Sequence, residues 1–427
     1  MTPLAEQLIA RCFGRAGGEL LVGGRRVSEL LAAAGTPAFV YDLGVLAQTW
    51  TRLRAGLPAA VDLYYSVKAN PNPAILQALV ERGAGLEVAS GGELRRARAA
   101  GCVAQRIAFA GPGKTDAELA LAVASAIGEI HLESLCEAER VAAIARRHGV
   151  SAPVALRVNP GPGVSGGALR MGGKPSPFGI DEEVLREVVA RVVAEPALTL
   201  RGIHLYVGTQ ILDHGTLLAQ YRQGLDIARR VAAWSGRPLA TVDLGGGLGV
   251  PYFANEAELD VPSFCRGLGE LLGGTRGEAA FAGTRFVLEP GRYLVAEAGV
   301  YVARVVDVKT SRGKRFVVLD GGMHHHLAAS GNLGQVIKRN FPLAVLNKLD
   351  QPAREVVDVV GPLCTPLDVL GRDVRLPAVA AGDLIGVFQS GAYALSASPL
   401  EFLSRASPAE VLVADGQARI IRPPVPG

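Results

Sequence analysis

Lys68 stands where an apolar, aromatic-rich run breaks into a Pro/Asn turn, in "DLYYSVKANPNPAIL" (62–76). A lysine held at a strand end with its stem in apolar surroundings can lose its proton and become a nucleophile. A lysine closing a strand is also commonly a solvated gatekeeper, so Lys68 has meaning only with company. Further along, "DLGGGLG" (243–249) sets Gly245, Gly246 and Gly247 after another apolar run, where backbone N–H groups can approach an anion such as phosphate. A tight turn explains the same cluster, and it lacks the Gly-x-Gly-x-x-Gly spacing of a dinucleotide site. "LEPGRY" (288–293) adds Arg292, a bidentate phosphate partner, and Glu289, a carboxylate suited to a heterocyclic nitrogen or to an ion pair with an arginine. A nucleophilic lysine, a phosphate cradle and a carboxylate facing a ring nitrogen are together the parts that hold pyridoxal phosphate as a Schiff base.

These residues need a scaffold that gathers strand ends. From residue 61 to about 290 a short apolar run, a Gly/Pro/Asn turn and an amphipathic helical segment repeat in that order. The runs fall at 63–67, 86–89, 107–110, 130–133, 154–158, 202–207, 241–245 and 285–289. Eight such units close a TIM barrel; a miscount would favour an open doubly wound sheet. In a barrel the active site lies at the C-terminal strand ends, and here those ends carry Lys68, Glu87, Arg157, Asn159, His204, Tyr206, Thr209 and Gln210. After residue 295 the sequence alternates and is rich in valine, which predicts a second, mostly β domain. "AFVYDLGVLAQTW" (38–50) has strand character of its own, so the expected division is 1–43 joining the β domain, 44–295 as the barrel and 296–427 as the β domain.

Composition narrows the function. The 427 residues are 49% hydrophobic and 20% charged, as in a folded protein with a large core. A net charge of +4 with dispersed basic residues argues against nucleic acid as a partner. The five cysteines, Cys12, Cys102, Cys136, Cys265 and Cys364, form no CxxC pair and fit a reducing cytoplasm. Glu6 and Arg11 interrupt the N-terminal apolar run, and no charge-free window reaches membrane-spanning length, so neither a signal peptide nor a membrane span is expected. His324, His325 and His326 are consecutive; read as strand residues they point to opposite faces, so no metal site is expected there.

Residues 37 to about 405 resemble the fold type III pyridoxal-phosphate-dependent decarboxylases, the diaminopimelate and ornithine decarboxylases and their relatives. "YYSVKAN" is similar to the family's lysine motif, "SGGEL" to the segment after strand two, and "GIHLYVGTQ" to its His-x-His-x-Gly-Ser-Gln motif. "GGGLG" and "LEPGR" resemble the phosphate and ring-nitrogen motifs, and "GPLCTPLD" and "SGAY" the two signatures of the β domain, all in the family's order. The resemblance implies an alanine-racemase-like (β/α)8 barrel plus a β domain. It implies Lys68 as the cofactor's lysine and Glu289 as the residue that keeps the ring nitrogen protonated. It places Glu87 and Glu93 on the ring side, and Gly245, Gly246, Gly247, Gly291, Arg292, Thr209 and Tyr393 around the phosphate. It further implies a homodimer with shared sites, in which Cys364 protonates the carbon left by carbon dioxide. Arg157, Thr365, Asp368 and Tyr393 would meet the substrate.

Two positions depart from the family pattern. Tyr206 replaces the ring-stacking histidine: it can still stack but offers no imidazole. Thr365 follows Cys364 where diaminopimelate decarboxylases carry a glutamate for the substrate's distal ammonium, and an ammonium buried without a partner costs several kcal/mol. The stretch 320–342, "DGGMHHHLAASGNLGQVIKRNFP", resembles a subgroup from biosynthetic clusters: the exosortase-associated decarboxylases and the butirosin-pathway enzyme that acts on a glutamyl group carried on an acyl carrier protein. The expected reaction is α-decarboxylation of an amino acid or a carrier-tethered aminoacyl group, and the basic "KRN" (338–340) is a candidate contact for an acidic carrier. Diaminopimelate, lysine or ornithine decarboxylation is the runner-up; an amino-acid racemase and a non-catalytic pyridoxal-phosphate carrier are further alternatives.

Overall fold

The computed structural model describes residues 1–161, 169–170, 175–206, 208–335 and 337–427. They form two compact units: Thr51–Val250 with Glu258–Gly291, and Met1–Trp50 with Pro251–Ala257 and Arg292–Gly427.

The first unit is a closed barrel of eight parallel strands: β1 (Val61–Ser66), β2 (Gly85–Val88), β3 (Ile107–Phe109), β4 (Glu129–Leu132), β5 (Ala152–Asn159), β6 (Leu198–Leu205), β7 (Thr241–Asp243) and β8 (Arg285–Leu288). Each pairs with the next, and β8 pairs back to β1 through Phe286 and Val61, so no edge remains. All eight apolar runs read from the sequence are strands; Val207, the last residue of the sixth run, lies outside the described residues. Every strand is buried on both faces, as a parallel sheet wrapped by helices requires.

The turns that end the strands also start the helices. Asn72 caps Pro73–Glu81, Ser90 caps Gly91–Ala99, and Thr115 with Glu118 forms a capping box on Asp116–Ala124. Ser134 caps Leu135–His148, whose buried Ala138, Val141, Ala142 and Ala145 recur at helical spacing, and Gly149 ends it in the left-handed conformation. After β1 to β4 the caps fix where each strand-end loop gives way to its helix, which is what a site built on those loops needs.

The second unit is mostly β. Its long strand Gly299–Ser311 pairs with Lys314–Leu319, Leu384–Val387 and the N-terminal strand Ala38–Asp42, which in turn pairs with Ala409–Ala414. The N-terminal segment therefore belongs to this sheet. Leu4, Leu8, Val27 and Leu31 of its two helices share one core with Val40, Val300, Phe388 and Val411. Only the first part of 38–50 is extended: Leu43–Gly56 is helical, because Asp42 accepts the N–H groups of Gly44 and Val45 and starts a helix there. The three histidines also differ from expectation. They sit in a turn after Asp320 and all three are buried, so strand alternation does not apply.

Candidate active site

Beyond the end of β1, Lys68 sits in a single 3-10 turn, Val67–Ala69, held by the Asn70 and Asn72 turns that follow. Its Nζ donates to Glu87 on β2, at 2.8 Å to Oε2 and 3.1 Å to Oε1, and the hydroxyl of Ser66 donates to the same carboxylate. The ammonium lies 5.7 Å from the centre of the Tyr206 ring, and the Arg157 guanidinium approaches the same ring at 6.0 Å. Lys68, Glu87, Tyr206 and Arg157 are thus brought together by β1, β2, β6 and β5. Glu93 accepts the N–H of Ala89 at 2.7 Å, and its burial raises its affinity for a proton. Arg157, expected to face a substrate, is buried in an ion pair with Glu133 at 2.7 Å, with its guanidinium 4.9 Å from the Phe178 ring. Glu133 also accepts the N–H groups of Gly111 and Gly179. Burial would raise its pKa, but Arg157, the Gly179 N–H and Lys114 together hold it below the ordinary value.

Deeper in the barrel, Glu289 at the end of β8 meets His204 of β6, with Oε2 3.2 Å from Nε2. His204 stacks on His131 of β4, ring centres 4.3 Å apart, and ligand-type atoms of His131, His204, Asp243 and Glu289 all lie within 4.8 Å of one another. Burial lowers the His204 pKa to about 4 in spite of Glu289, which favours the neutral imidazole. Oε1 of Glu289 is buried and meets no donor among the described residues. The Gly245–Gly247 loop runs alongside. Gly245 has φ 71°, and a Cβ there would lie 2.2 Å from the Leu205 carbonyl; one on Gly246 would lie 2.5 Å from the Glu289 carbonyl. No other residue fits either place. Tyr221 donates to the Gly246 carbonyl at 2.9 Å, and the Gly247 carbonyl accepts from Ile211. Gln210, beside Thr209, adopts φ 60° and clasps Val250 through both ends of its amide. Gly291 packs so tightly that a Cβ would come within 3.0 Å of Ser66 and Ala69.

In the β unit, Arg292 donates to the Tyr252 hydroxyl at 2.9 Å, and its guanidinium lies 4.6 Å from the Tyr393 ring. Tyr393 has φ 52°, a conformation that costs a tyrosine on the order of 1 kcal/mol and is found preferentially at functional sites. Cys364 is exposed. Thr365 is half-buried beside it. Asp368, expected to face a substrate side chain, is instead 2% exposed, with its oxygens accepting the N–H groups of Met323 at 2.6 Å and Leu363 at 2.9 Å. Burial raises its pKa against the pull of those two donors. It pins the base of the Cys364 loop. The "KRN" stretch is also engaged internally: Lys338 donates to Asn332 at 2.5 Å, and Arg339 covers the Phe253 ring at 3.5 Å and pairs with Glu256.

Residues 43–296 match the family model "Pyridoxal-dependent decarboxylase, pyridoxal binding domain". The chain is 40% identical over 399 residues to the L-glutamyl-[BtrI acyl-carrier protein] decarboxylase of Niallia circulans, covering 93% of each. It is 33% identical to the diaminopimelate decarboxylase of Zymomonas mobilis, covering 96% of this chain and 95% of that one. The chain belongs to the pyridoxal-dependent decarboxylases. Among solved structures, diaminopimelate decarboxylase from Helicobacter pylori in complex with L-lysine matches with a TM-score of 0.80 and 28% identity over 93% of this chain and 96% of that one.

The chain is accordingly a carboxy-lyase that uses pyridoxal phosphate. Its own residues fit that cofactor: Glu289 keeps a buried oxygen that meets no donor among the described residues, and Gly245 and Gly246 carry no side chain. Reading this decarboxylase from sequence missed Glu129, His131, Glu133, Lys114, Glu137 and Asp243. A signal was present in "EIHLE" (129–133), where three ionisable residues alternate within an apolar run and so share the barrel's inner face.

Proposed function

We propose that this decarboxylase removes the α-carboxylate of an aminoacyl group, of glutamyl type, that is presented on an acyl carrier protein. One observation carries the reading: the only carboxylate on the Cys364 loop, Asp368, is buried and bound to backbone N–H groups, while Thr365 follows the cysteine. A free diamino acid would bring a distal ammonium to a loop with no acid to meet it. A carrier-linked acyl group ends in a neutral carbonyl and needs none. Because the α-carboxylate must be free to leave, the carrier is joined through the side-chain carbonyl. The identity to a carrier-protein decarboxylase supports the same reading. Diaminopimelate is the second reading, supported by the relatives that act on it.

Pyridoxal phosphate, when bound, supplies the electron sink for the pair released as carbon dioxide departs. We assign Lys68 to the cofactor's aldehyde, positioned by Glu87, and Tyr206 to the ring face, where it excludes water. Glu289 holds a proton at the ring nitrogen; Gly245–Gly247 and Thr209 take the phosphate in the barrel unit. The family resemblance also assigns Gly291 to cofactor binding and Arg292 and Tyr393 to phosphate binding. Cys364, exposed and kept as a thiol in a reducing cytoplasm, is the acid that places a proton on the α-carbon, and in a homodimer it serves the neighbouring copy.

Intact-mass measurement on a glutamyl-loaded carrier protein tests this. Loss of one carbon dioxide with wild-type enzyme, none with Lys68→Ala, and slower turnover of free meso-diaminopimelate and lysine are expected. Faster turnover of free diaminopimelate than of the carrier adduct would replace the first reading with the second.

A further inference from the structure

We propose that Asp243 is a positioning residue: it carries the proton of an Asp243–Glu289 acid pair on the barrel floor and thereby fixes Glu289 as the anionic acceptor for the cofactor's ring nitrogen. The inference rests on the assignment of Glu289 to that nitrogen.

The geometry comes from adjacent strands. Asp243 ends β7 and Glu289 follows β8; Leu244 N–H bonds to the Val287 carbonyl at 2.9 Å and Glu289 N–H to the Gly245 carbonyl at 2.8 Å, which locks the two side chains beside each other. Both are buried, and their oxygens fall within the 4.8 Å cluster. Among the described residues, no lysine or arginine forms an ion pair with either one. Two carboxylates so close in a dry interior cannot both ionise, so they share one proton. Its place follows from the neighbours. Glu289 lies 3.2 Å from His204 Nε2, and with the proton on that nitrogen His204 donates to it, which favours the anion there. Asp243 uses Oδ1 to accept the Gly245 N–H at 2.8 Å, leaving its other oxygen to hold a proton toward Glu289. Burial and then Glu289 raise the Asp243 pKa well above the ordinary value; Glu289, though burial opposes it, is held below by His204, His131 and the hydrogen bond with Asp243. The remaining groups around the pair are Glu129 and His131 on β4, Arg157 on β5 and Tyr221 on the helix His214–Ser235. Asp243 thus links the glycine loop to the ring-nitrogen carboxylate through its two oxygens.

An amide at position 243 can make both bonds, donating to Glu289 and accepting from Gly245. The holoenzyme of Asp243→Asn should keep the wild-type absorption band of bound pyridoxal phosphate, unchanged across neutral pH, with its dissociation constant altered by no more than about two-fold. Asp243→Ala should weaken cofactor binding by roughly ten-fold or more, the loss of a hydrogen bond to a charged group, and make the band pH-dependent. If Asn is as damaging as Ala, or Ala is silent, the assignment is wrong. Should Ala fail to fold, infrared spectra decide: a protonated-carboxyl carbonyl stretch at neutral pH that disappears in Asp243→Asn supports the proposal, and its absence from wild type overturns it. Glu289→Gln separates the two failures, since a silent Gln would sink the ring-nitrogen assignment itself.

Discussion

Lys68 and Lys114 stand beyond the ends of two strands of one barrel, β1 and β3, and each pairs with a glutamate. Burial lowers the Lys114 pKa against the pull of Glu137 and Glu133. Yet its side chain is 1% exposed, and its three N–H donors are taken by the carbonyls of Gly111 and His131 and by Glu137. The Lys68 side chain is 38% exposed and meets Glu87 at 2.8 Å. A shifted titration therefore marks burial, whereas a lysine that must reach a carbonyl carbon also needs access. Lys114 is a strut that braces the loop after β3 against the helix Leu135–His148; Lys68 is the one we propose to react.

Substitution separates the two roles. Lys68→Ala should abolish both the bound-cofactor absorption and carbon dioxide release while the apoprotein still folds, with a lowered melting temperature because buried Glu87 loses its cation; residual turnover near the wild-type rate would contradict the contrast. Lys114→Met should do the reverse. It strands the buried Glu137 without its cation, at a cost of about 3–5 kcal/mol read from the denaturant midpoint, yet the folded fraction keeps its cofactor band. Exposed Cys364 carries no packing, so Cys364→Ser should lower turnover by on the order of 10²-fold and leave the melting temperature alone.

How much of this contrast the sequence could carry is instructive. The strands were legible because parallel strands buried on both faces are continuous apolar runs, and the turns after several of them carried a cap, as at Asn72, Ser90 and Thr115. Lys68 was legible by its place at a strand end. Lys114 was not, since its partners Glu137 and the His131 carbonyl are contributed by the next strand and helix. Asp243 was passed over for the glycines beside it, and Asp368 was assigned to a substrate because nothing local showed the N–H groups of Met323 and Leu363 closing on it. The histidine run 324–326, read as strand residues, differs too: the chain turns there.

Smaller effects follow from the acid-poor Cys364 loop and from the β unit. Thr365→Glu returns a carboxylate to the loop and should raise turnover of free diaminopimelate relative to the carrier adduct by about ten-fold; no change would show that the loop does not select the substrate. In the β unit, burial lowers the pKa of His324 to about 4 and of His325 and His326 to about 3. These folded values lie below the unfolded value of about 6.5, so below that pH the unfolded chain binds more protons. Stability should fall as pH drops from about 6.5 toward 3–4, and His326→Gln, which can still donate to Ser390, should reduce the proton uptake on unfolding by about one.

The most direct measurement is borohydride reduction of the holoenzyme followed by peptide mapping, which traps the cofactor on the lysine that holds it. The pyridoxyl group should appear on the peptide containing Lys68, in full yield and on no other lysine. Its appearance on Lys114 or elsewhere would contradict the assignment on which the whole account is built.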